Sequence, residues 1–300
     1  MQGKHITISE VGPRDGFQNV KELIPFEVKT KIIDLLVDAG VSRIQAASFV
    51  NPKYVPQMAD SAKVSEYALS KYKNRVDLFA LVPNMRGADA AVSCGYEEIT
   101  FVLSASDTHN KENTGKTTSQ ALEELKLIRN KYKNIKLDLD ISTAFHCVFE
   151  GETDEEKLFH IISRASDIGV DCIDLCDTTG GAYPKKVKRV VSRALEEYKN
   201  MDFEVHMHDT WNMGMLNTYE AISCGITSAQ AALSGLGGCP FAPGAAGNTA
   251  TEDLVFMLMR EGIETGIDFE KLMDASQYQM RNINGNFSGH QIASRTEKCV

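Results

Sequence analysis

Eight short runs rich in Val, Ile and Leu, separated by amphipathic stretches, constrain this chain more than any other feature. The runs are HITISEVG (5–12), RIQAASF (43–49), DLFALVP (77–83), EITFVLS (98–104), KLDLDIST (136–143), CIDLCDT (172–178), FEVHMHD (203–209) and SAQAALSG (228–235). Between the first two lies PFEVKTKIIDLLVDAG (25–40). There Val28, Ile32, Leu35, Leu36 and Ala39 follow the i, i+3, i+4 spacing of one helix face, and Gly40 supplies a C-terminal stop. TDEEKLFHIISRASDIG (153–169) repeats the design, with Thr153 as the expected N-cap and acids in the first turn. Strands alternating with helices mean βα units and a parallel sheet, and eight units over roughly 240 residues match a closed (β/α)₈ TIM barrel. A doubly wound open sheet competes, but it has fewer strands and a GxGxxG turn after strand one, where this chain has GPRDGF. Residues 1–300 are expected to form a single TIM-barrel domain, with a helical extension from about 265 and no linker that splits off a second domain.

Composition removes several function classes. A net charge of −9 disfavours nucleic acid and anionic membrane as partners, which both call for a basic surface. No apolar run approaches the ~20 residues of a membrane span. The opening MQGKHITISEVG has no h-region and turns directly into a strand pattern, so no secretory leader is expected. Seven cysteines (94, 147, 172, 176, 224, 239 and 299) form no CxxC pair and several lie in apolar runs. Reduced thiols in a cytoplasmic protein are expected, most of them small core residues.

A TIM barrel places its active site at the C-terminal ends of the strands, and chemically capable residues stand at those positions. Strand one ends in Glu10, Arg14 and Asp15; strand two carries Gln45 and Ser48; strand six ends in Asp177; strand seven ends in HMHD. His206 and His208, two apart on a strand, face the same side. They form either a metal pair or two hydrogen-bonded core histidines. Asp15, brought near by barrel closure, and Asn248, as an amide oxygen, complete a candidate ligand set. Its mixed N and O donors suit Mg²⁺ or Mn²⁺, with Zn²⁺ also admitted. Arg14 is either a surface ion-pair partner of Asp15 or a fixed positive charge that stabilises an enolate or oxyanion. Strand eight runs into GLGGCPFAPGAAGN (235–248), whose composition suits neither helix nor strand. With no second domain to connect, it reads as a loop shaped for chemistry, on which Cys239 is a candidate proton donor or acceptor.

EVGPRDGFQN, SFVNPKYVPQMAD, LVPNMRG, DTTG, HMHDT and GLGGCPFAPGAAGNTATEDLV occur in that order from residue 10 to about 255. Together they resemble the 3-hydroxy-3-methylglutaryl-CoA lyase family of metal-dependent TIM-barrel lyases and synthases. The resemblance implies Asp15, His206, His208 and Asn248 as ligands of a divalent metal. It implies Arg14 as the enolate-stabilising group, Cys239 as the mobile-loop acid/base, and Asp177 and Glu10 as polar supports of the pocket. Asp15, His206 and Asp177 join Arg14 and Cys239 as expected catalytic residues; Arg14, Glu10, Gln45, Ser48 and Asp140 are the expected substrate contacts. The implied reaction is a retro-Claisen (aldol-type) cleavage of an acyl-CoA to acetyl-CoA and a 3-oxo acid, acetoacetate for the parent substrate. A cytoplasmic homo-oligomer, a dimer, is expected. A condensing enzyme of the same superfamily and a non-catalytic metal-binding barrel are the competing functions.

The chain departs from the family at pocket-wall positions. Gln45 stands where Glu is usual, Asp138 and Asp140 where strand five usually shows Arg and Tyr, His146 for Gly, Trp211 and Asn212 for Tyr-Gly, and Gln230 for Asp. If they point inward, the new acids disfavour a substrate carboxylate and favour a cationic or polar group. His290, in NFSGHQIAS, is either a surface histidine or a counterpart of one in the C-terminal segment of the related synthases.

Overall fold

The computed structural model describes residues 5–238 and 247–296. Eight parallel strands close into a barrel in sequence order: β1 (Thr7–Glu10), β2 (Arg43–Ser48), β3 (Asp77–Val82), β4 (Glu98–Ser104), β5 (Lys136–Ser142), β6 (Cys172–Asp177), β7 (Asp202–Met207) and β8 (Ser228–Ala231). Closure joins β8 to β1, with Ser228 beside Thr7 and Ala231 beside Glu10. The helices are α1 (Phe26–Asp38), α2 (Ser61–Tyr72), α3 (Met85–Cys94), α4 (Asp107–Thr114), α5 (Thr118–Lys131), α6 (Glu155–Ile168), α7 (Pro184–Glu197), α8 (Gly214–Cys224), α9 (Thr251–Arg260), α10 (Phe269–Asn282) and α11 (His290–Thr296). None is long and apolar enough to cross a membrane.

Local chemistry accounts for the helix ends. α1 stops at Gly40, whose φ of +89° is left-handed and whose missing side chain leaves room for the Gly266 carbonyl. The buried face of α1 is centred on Ile32, Ile33, Leu36 and Val37, while Val28 and Leu35 flank it half-buried. The N-cap of α6 is Asp154, which accepts from Glu156 N, not the expected Thr153; the Thr153 hydroxyl donates to the Thr143 carbonyl instead. Two features escaped the sequence pattern. One is α4, inserted between β4 and α5. The other is a two-stranded ribbon pairing His146–Cys147 with Gly151–Glu152. Strand eight is shorter than its apolar run, because Leu233–Gly235 turns off it with Ser234 at a φ of +61°.

Alternation along the strands divides the molecule into two packed layers. Ile8, Ile44, Ala80, Phe101, Leu139, Ile173, Val205 and Ala229 point outward into the apolar core shared with the helices. The inward face is polar. At its lower end Arg43 donates to the Ser9 hydroxyl (2.9 Å), to Asp138 Oδ2 (2.9 Å) and to Glu98, and stacks 4.2 Å from the Phe79 ring. Glu204 accepts from Ser9 (2.6 Å) and Ser228 (2.5 Å). Burial works against the charge on Arg43, but Glu204, Glu98 and Asp138 hold its guanidinium protonated. This ion network plugs the bottom of the barrel, and the cavity begins above it.

Candidate active site

The β1–α1 connection does not continue as strand. Gly12–Gly16 winds into one wide turn, with Pro13 at its start, and carries Arg14 and Asp15 over the barrel mouth. The Asp15 Oδ1 accepts from Arg14 Nη1 at 2.5 Å and from Gln18 Nε2 at 2.9 Å. Arg14 Nε donates to Gln45 Oε1. The neutral Gln45 therefore fixes the arginine and stays out of proton transfer; its own Nε2 is buried without a partner among the described residues. Burial raises the Asp15 pKa, but Arg14, then His206 and His208, outweigh it and hold the carboxyl at about 2.

Across the mouth, β7 presents His206 and, just beyond it, His208. Gln230 on β8 donates from Nε2 to Glu204 Oε2 (3.1 Å), which turns its Oε1 toward His206 Nδ1 at 2.8 Å. A neutral His206 then gives Nδ1–H to Gln230 and keeps a bare Nε2. Asn248 donates through Nδ2 to Asp15 Oδ2 (2.8 Å) and to the Leu236 carbonyl (3.1 Å), so its Oδ1 can only accept. That Oδ1 lies 2.6 Å from His206 Nε2, and His208 Nε2 lies 3.1 Å from the same nitrogen. Burial, reinforced by His206, drops the His208 pKa to about 4, so at neutral pH it is an uncharged imidazole. The ring nitrogens of His206 and His208 and the amide oxygen of Asn248 thus converge beside the Asp15 carboxylate. The spacing suits a hard divalent ion, since cis ligands at ~2.1 Å from an octahedral centre are roughly 3 Å apart. Asp15, His206 and His208 bring ligand atoms within 4.8 Å of one another. The metal pair, not the core-histidine pair, is the reading this geometry fits.

A cavity of about 490 Å³ opens over this group. Its walls include Arg14, Asp15, Asp140, Cys176, His206 and His208. α4 adds His109 and Thr114, which no sequence pattern had placed there. The two ends of the glycine-rich loop cross above Asn248. A Cβ on Gly247 would lie 2.4 Å from the Gly237 carbonyl carbon, and one on Gly237 would lie 2.7 Å from Asn248 Nδ2. Only glycine permits that backbone-to-backbone crossing. Cys239 lies outside the described residues.

Other expected site residues fall elsewhere. Glu10 follows Ser9, which faces the barrel interior, so Glu10 faces outward. Its carboxylate accepts from Gly12 N and Leu233 N (both 2.8 Å) and from the Thr251 hydroxyl (2.6 Å), tying β1, β8 and α9 together. Burial outweighs those three donors and raises its pKa to about 7. Asp177 likewise has the outward parity of β6; it accepts from Ala182 N (3.0 Å), and burial raises its pKa to about 7. Both brace loops and neither lines the cavity, so direct substrate contact by Glu10 and direct catalysis by Asp177 do not fit their positions. Ser48 is buried, its hydroxyl unpartnered among the described residues, and is also off the cavity wall. Both strand-five acids point inward, but Asp138 belongs to the Arg43 network while Asp140 faces the cavity. His146 approaches the Thr179 hydroxyl at 3.0 Å, Trp211 is exposed, and Asn212 takes a left-handed φ of +58°. His290 is exposed and paired with Asp253 (3.1 Å). Sequence reasoning missed Gln18 as a partner of Asp15. It registered Gln230 only as a departure, and it overlooked Asp174 and Cys176, whose alternation with Cys172 in CIDLCD was the available signal.

A closed barrel with a polar metal-suited cluster at the C-terminal mouth defines a TIM-barrel enzyme. The HMGL-like family model matches residues 5–278, and the chain belongs to that family. It is a carbon–carbon lyase of the hydroxymethylglutaryl-CoA lyase type. The mitochondrial hydroxymethylglutaryl-CoA lyase of Macaca fascicularis is 36% identical over 297 residues, covering 98% of this chain and 90% of the relative. The (R)-citramalyl-CoA lyase of Chloroflexus aurantiacus is 38% identical over 283 residues, covering 91% and 89%. An HMG-CoA lyase from Acinetobacter baumannii, solved in complex with coenzyme A and 3-methylmalate, superposes with a TM-score of 0.91 at 35% identity, covering 97% of this chain and 95% of that one. All three are named lyases, which does not favour the condensing reading.

Proposed function

We propose that the protein is a divalent-metal-dependent lyase that cleaves a 3-hydroxyacyl-CoA related to 3-hydroxy-3-methylglutaryl-CoA into acetyl-CoA and a 3-oxo compound, acetoacetate for the parent substrate. The observation that carries this reading is the convergence of the His206 and His208 ring nitrogens and Asn248 Oδ1 beside Asp15. Those four residues would hold the ion, Mg²⁺ or Mn²⁺ by donor type. When bound, such an ion polarises hydroxyl and carbonyl oxygens. The protein's own part is positional. Gln230 orients His206; Gln45 and Asp15 fix the Arg14 guanidinium as a positive charge for the enolate oxygen that develops as C2–C3 breaks. The family resemblance gives the enolate's proton to Cys239. The acyl-CoA lyases among its relatives support an acyl-CoA substrate, and the free described cysteines agree with a cytoplasmic location. A homodimer is the proposed assembly, measurable by light scattering.

The test is acetyl-CoA release from 3-hydroxy-3-methylglutaryl-CoA and both citramalyl-CoA enantiomers with Mg²⁺. Arg14→Gln should lower kcat by about 10²–10³-fold with Mn²⁺ affinity retained. Absence of acetyl-CoA from every substrate, or an unimpaired Arg14→Gln variant, overturns the proposal.

A further inference from the structure

Asp140 and Asp174 are register partners on neighbouring strands β5 and β6, both facing the barrel interior. Like charges directly opposite on a sheet are destabilising, and a buried carboxylate without a counter-charge costs more. Asp140 is 3% exposed and Asp174 2%, and each has an Oδ1 with no hydrogen-bond partner among the described residues. Asp174 accepts only a weak Sγ–H donation from Cys176 (3.3 Å). The three side chains bring their oxygens and sulfur within 4.8 Å of one another, and Asp140 and Cys176 line the cavity. The contrast with Asp138 is direct: one turn of the pleat below, that carboxylate meets Arg43. The cations on the cavity wall pair elsewhere, Arg14 with Asp15 and Lys116 with Glu124, although Arg14 also acts on Asp140 against the effect of burial. A substrate carboxylate entering beside Asp140 meets an acceptor, whereas an ammonium group meets the open Asp140 Oδ1 with Asp174 behind it; burial raises the pKa of both acids, Asp140 to about 7, and a bound cation favours their ionised forms.

We infer that Asp140 and Asp174 select an acyl-CoA whose acyl chain ends in a cationic amine, in place of the carboxylate of 3-hydroxy-3-methylglutaryl-CoA. This inference rests on the lyase reading. The probe is the analogue carrying a dimethylammonio group where that carboxyl stands; its tertiary nitrogen keeps one N–H donor and forms no stable lactam. In its cleavage the hydroxyl loses its proton and becomes the ketone carbonyl. The C2–C3 electron pair leaves on acetyl-CoA as its enolate, which takes up a proton, and the second product is dimethylaminoacetone.

Acetyl-CoA release from this analogue and from 3-hydroxy-3-methylglutaryl-CoA is compared for the Mg²⁺-loaded wild type and for Asp140→Asn and Asp174→Asn. Binding of the uncleavable 3-deoxy forms of both thioesters is measured in parallel, so that folding and affinity are seen without turnover. The expected result is faster cleavage and tighter binding of the cationic thioester, with Asp140→Asn losing that advantage by roughly 30-fold, the loss of one buried charge pair. Preference for the carboxylate form overturns the inference and leaves the lyase reading intact. No acetyl-CoA from either thioester, with tight Asp140-dependent binding of the cationic 3-deoxy form, overturns the lyase reading and keeps the cation site. Two tightly bound metal ions per chain, falling to one in Asp174→Asn, assigns the acids to a second ion and overturns the inference.

Discussion

Replacing Gln230 with Leu isolates the orientation of one proposed metal ligand, His206. The wild-type amide accepts from His206 Nδ1 at 2.8 Å and donates to Glu204 Oε2 at 3.1 Å. Leucine keeps most of the volume and deletes both bonds. The first loss strands a buried N–H and frees the imidazole to rotate or to change tautomer, so His206 Nε2 no longer points its lone pair at the site in every molecule. Outer-shell losses of this kind cost about 10- to 100-fold in metal affinity, or ~1.4–2.7 kcal/mol. The second loss leaves a Glu204 oxygen one donor short and costs apo-protein stability about 1–3 kcal/mol. Gln230→Glu separates the two effects. It restores an acceptor for His206 and so keeps metal affinity, but it sets a carboxylate against Glu204 and lowers stability at neutral pH. Mn²⁺ titration followed by the free-ion electron paramagnetic resonance signal reads affinity, and calorimetry of the metal-free protein reads stability. Equal Mn²⁺ affinity for wild type and Gln230→Leu, with only the melting temperature lowered, would show that Gln230 merely fills the barrel and that His206 is oriented by something else.

Arg43→Met should leave Glu98, Asp138 and Glu204 buried without their main cation and destabilise the protein by about 3–5 kcal/mol. Against the effect of burial, Arg43 is the main charge that holds Glu98 below its ordinary range; without it burial raises that carboxyl, so the deficit is largest at neutral pH and shrinks as pH falls toward the unfolded carboxylate range near 4, and melting temperatures across that range with no such narrowing would contradict the network. Gly247→Ala places a Cβ 2.4 Å from the Gly237 backbone. The loop ends must part, at about 1–3 kcal/mol, and Asn248 moves with them, so metal affinity falls along with turnover; an alanine variant with wild-type Mn²⁺ affinity would place the crossing outside the metal site's support.

What the sequence made legible follows from period and parity. Eight apolar runs at βα spacing matched a closed barrel better than a doubly wound open sheet, and HMH in a strand required two imidazoles on one face; the structure has both. Asp15 and Asn248 followed from barrel closure and the family pattern, since β8 and β7 bring Asn248 beside β1. The misplacements share one cause. Glu10 and Asp177 drew attention as acids at strand ends, but position along a strand says nothing about which side a residue faces. Ser9 and Cys176, one residue earlier in each case, occupy the inward parity, and the acids fall on the outward one. Applying that parity to CIDLCD would have exposed Asp174, which its apolar neighbours disguised as part of a core strand. Gln45, Gln230 and Gln18 were illegible for a different reason: a neutral amide acquires its role from its partner, and the partners Arg14, His206 and Asp15 lie on other elements or one turn away.

The same parity explains how one sheet serves two purposes. Outward residues such as Ile173 and Leu139 are fully buried among the helices, and burial there, at about 25 cal/mol per Å², supplies the stability of the fold. The inward residues of the same strands contribute little apolar area and are divided by height. Below, Arg43 pairs with Asp138 and Glu98. Above, Asp140 and Asp174 repeat the carboxylate without repeating the arginine. Burial raises the pKa of both upper acids, Asp140 to about 7, so the barrel holds them without a paired arginine, and Asp140 does so on the wall of the cavity.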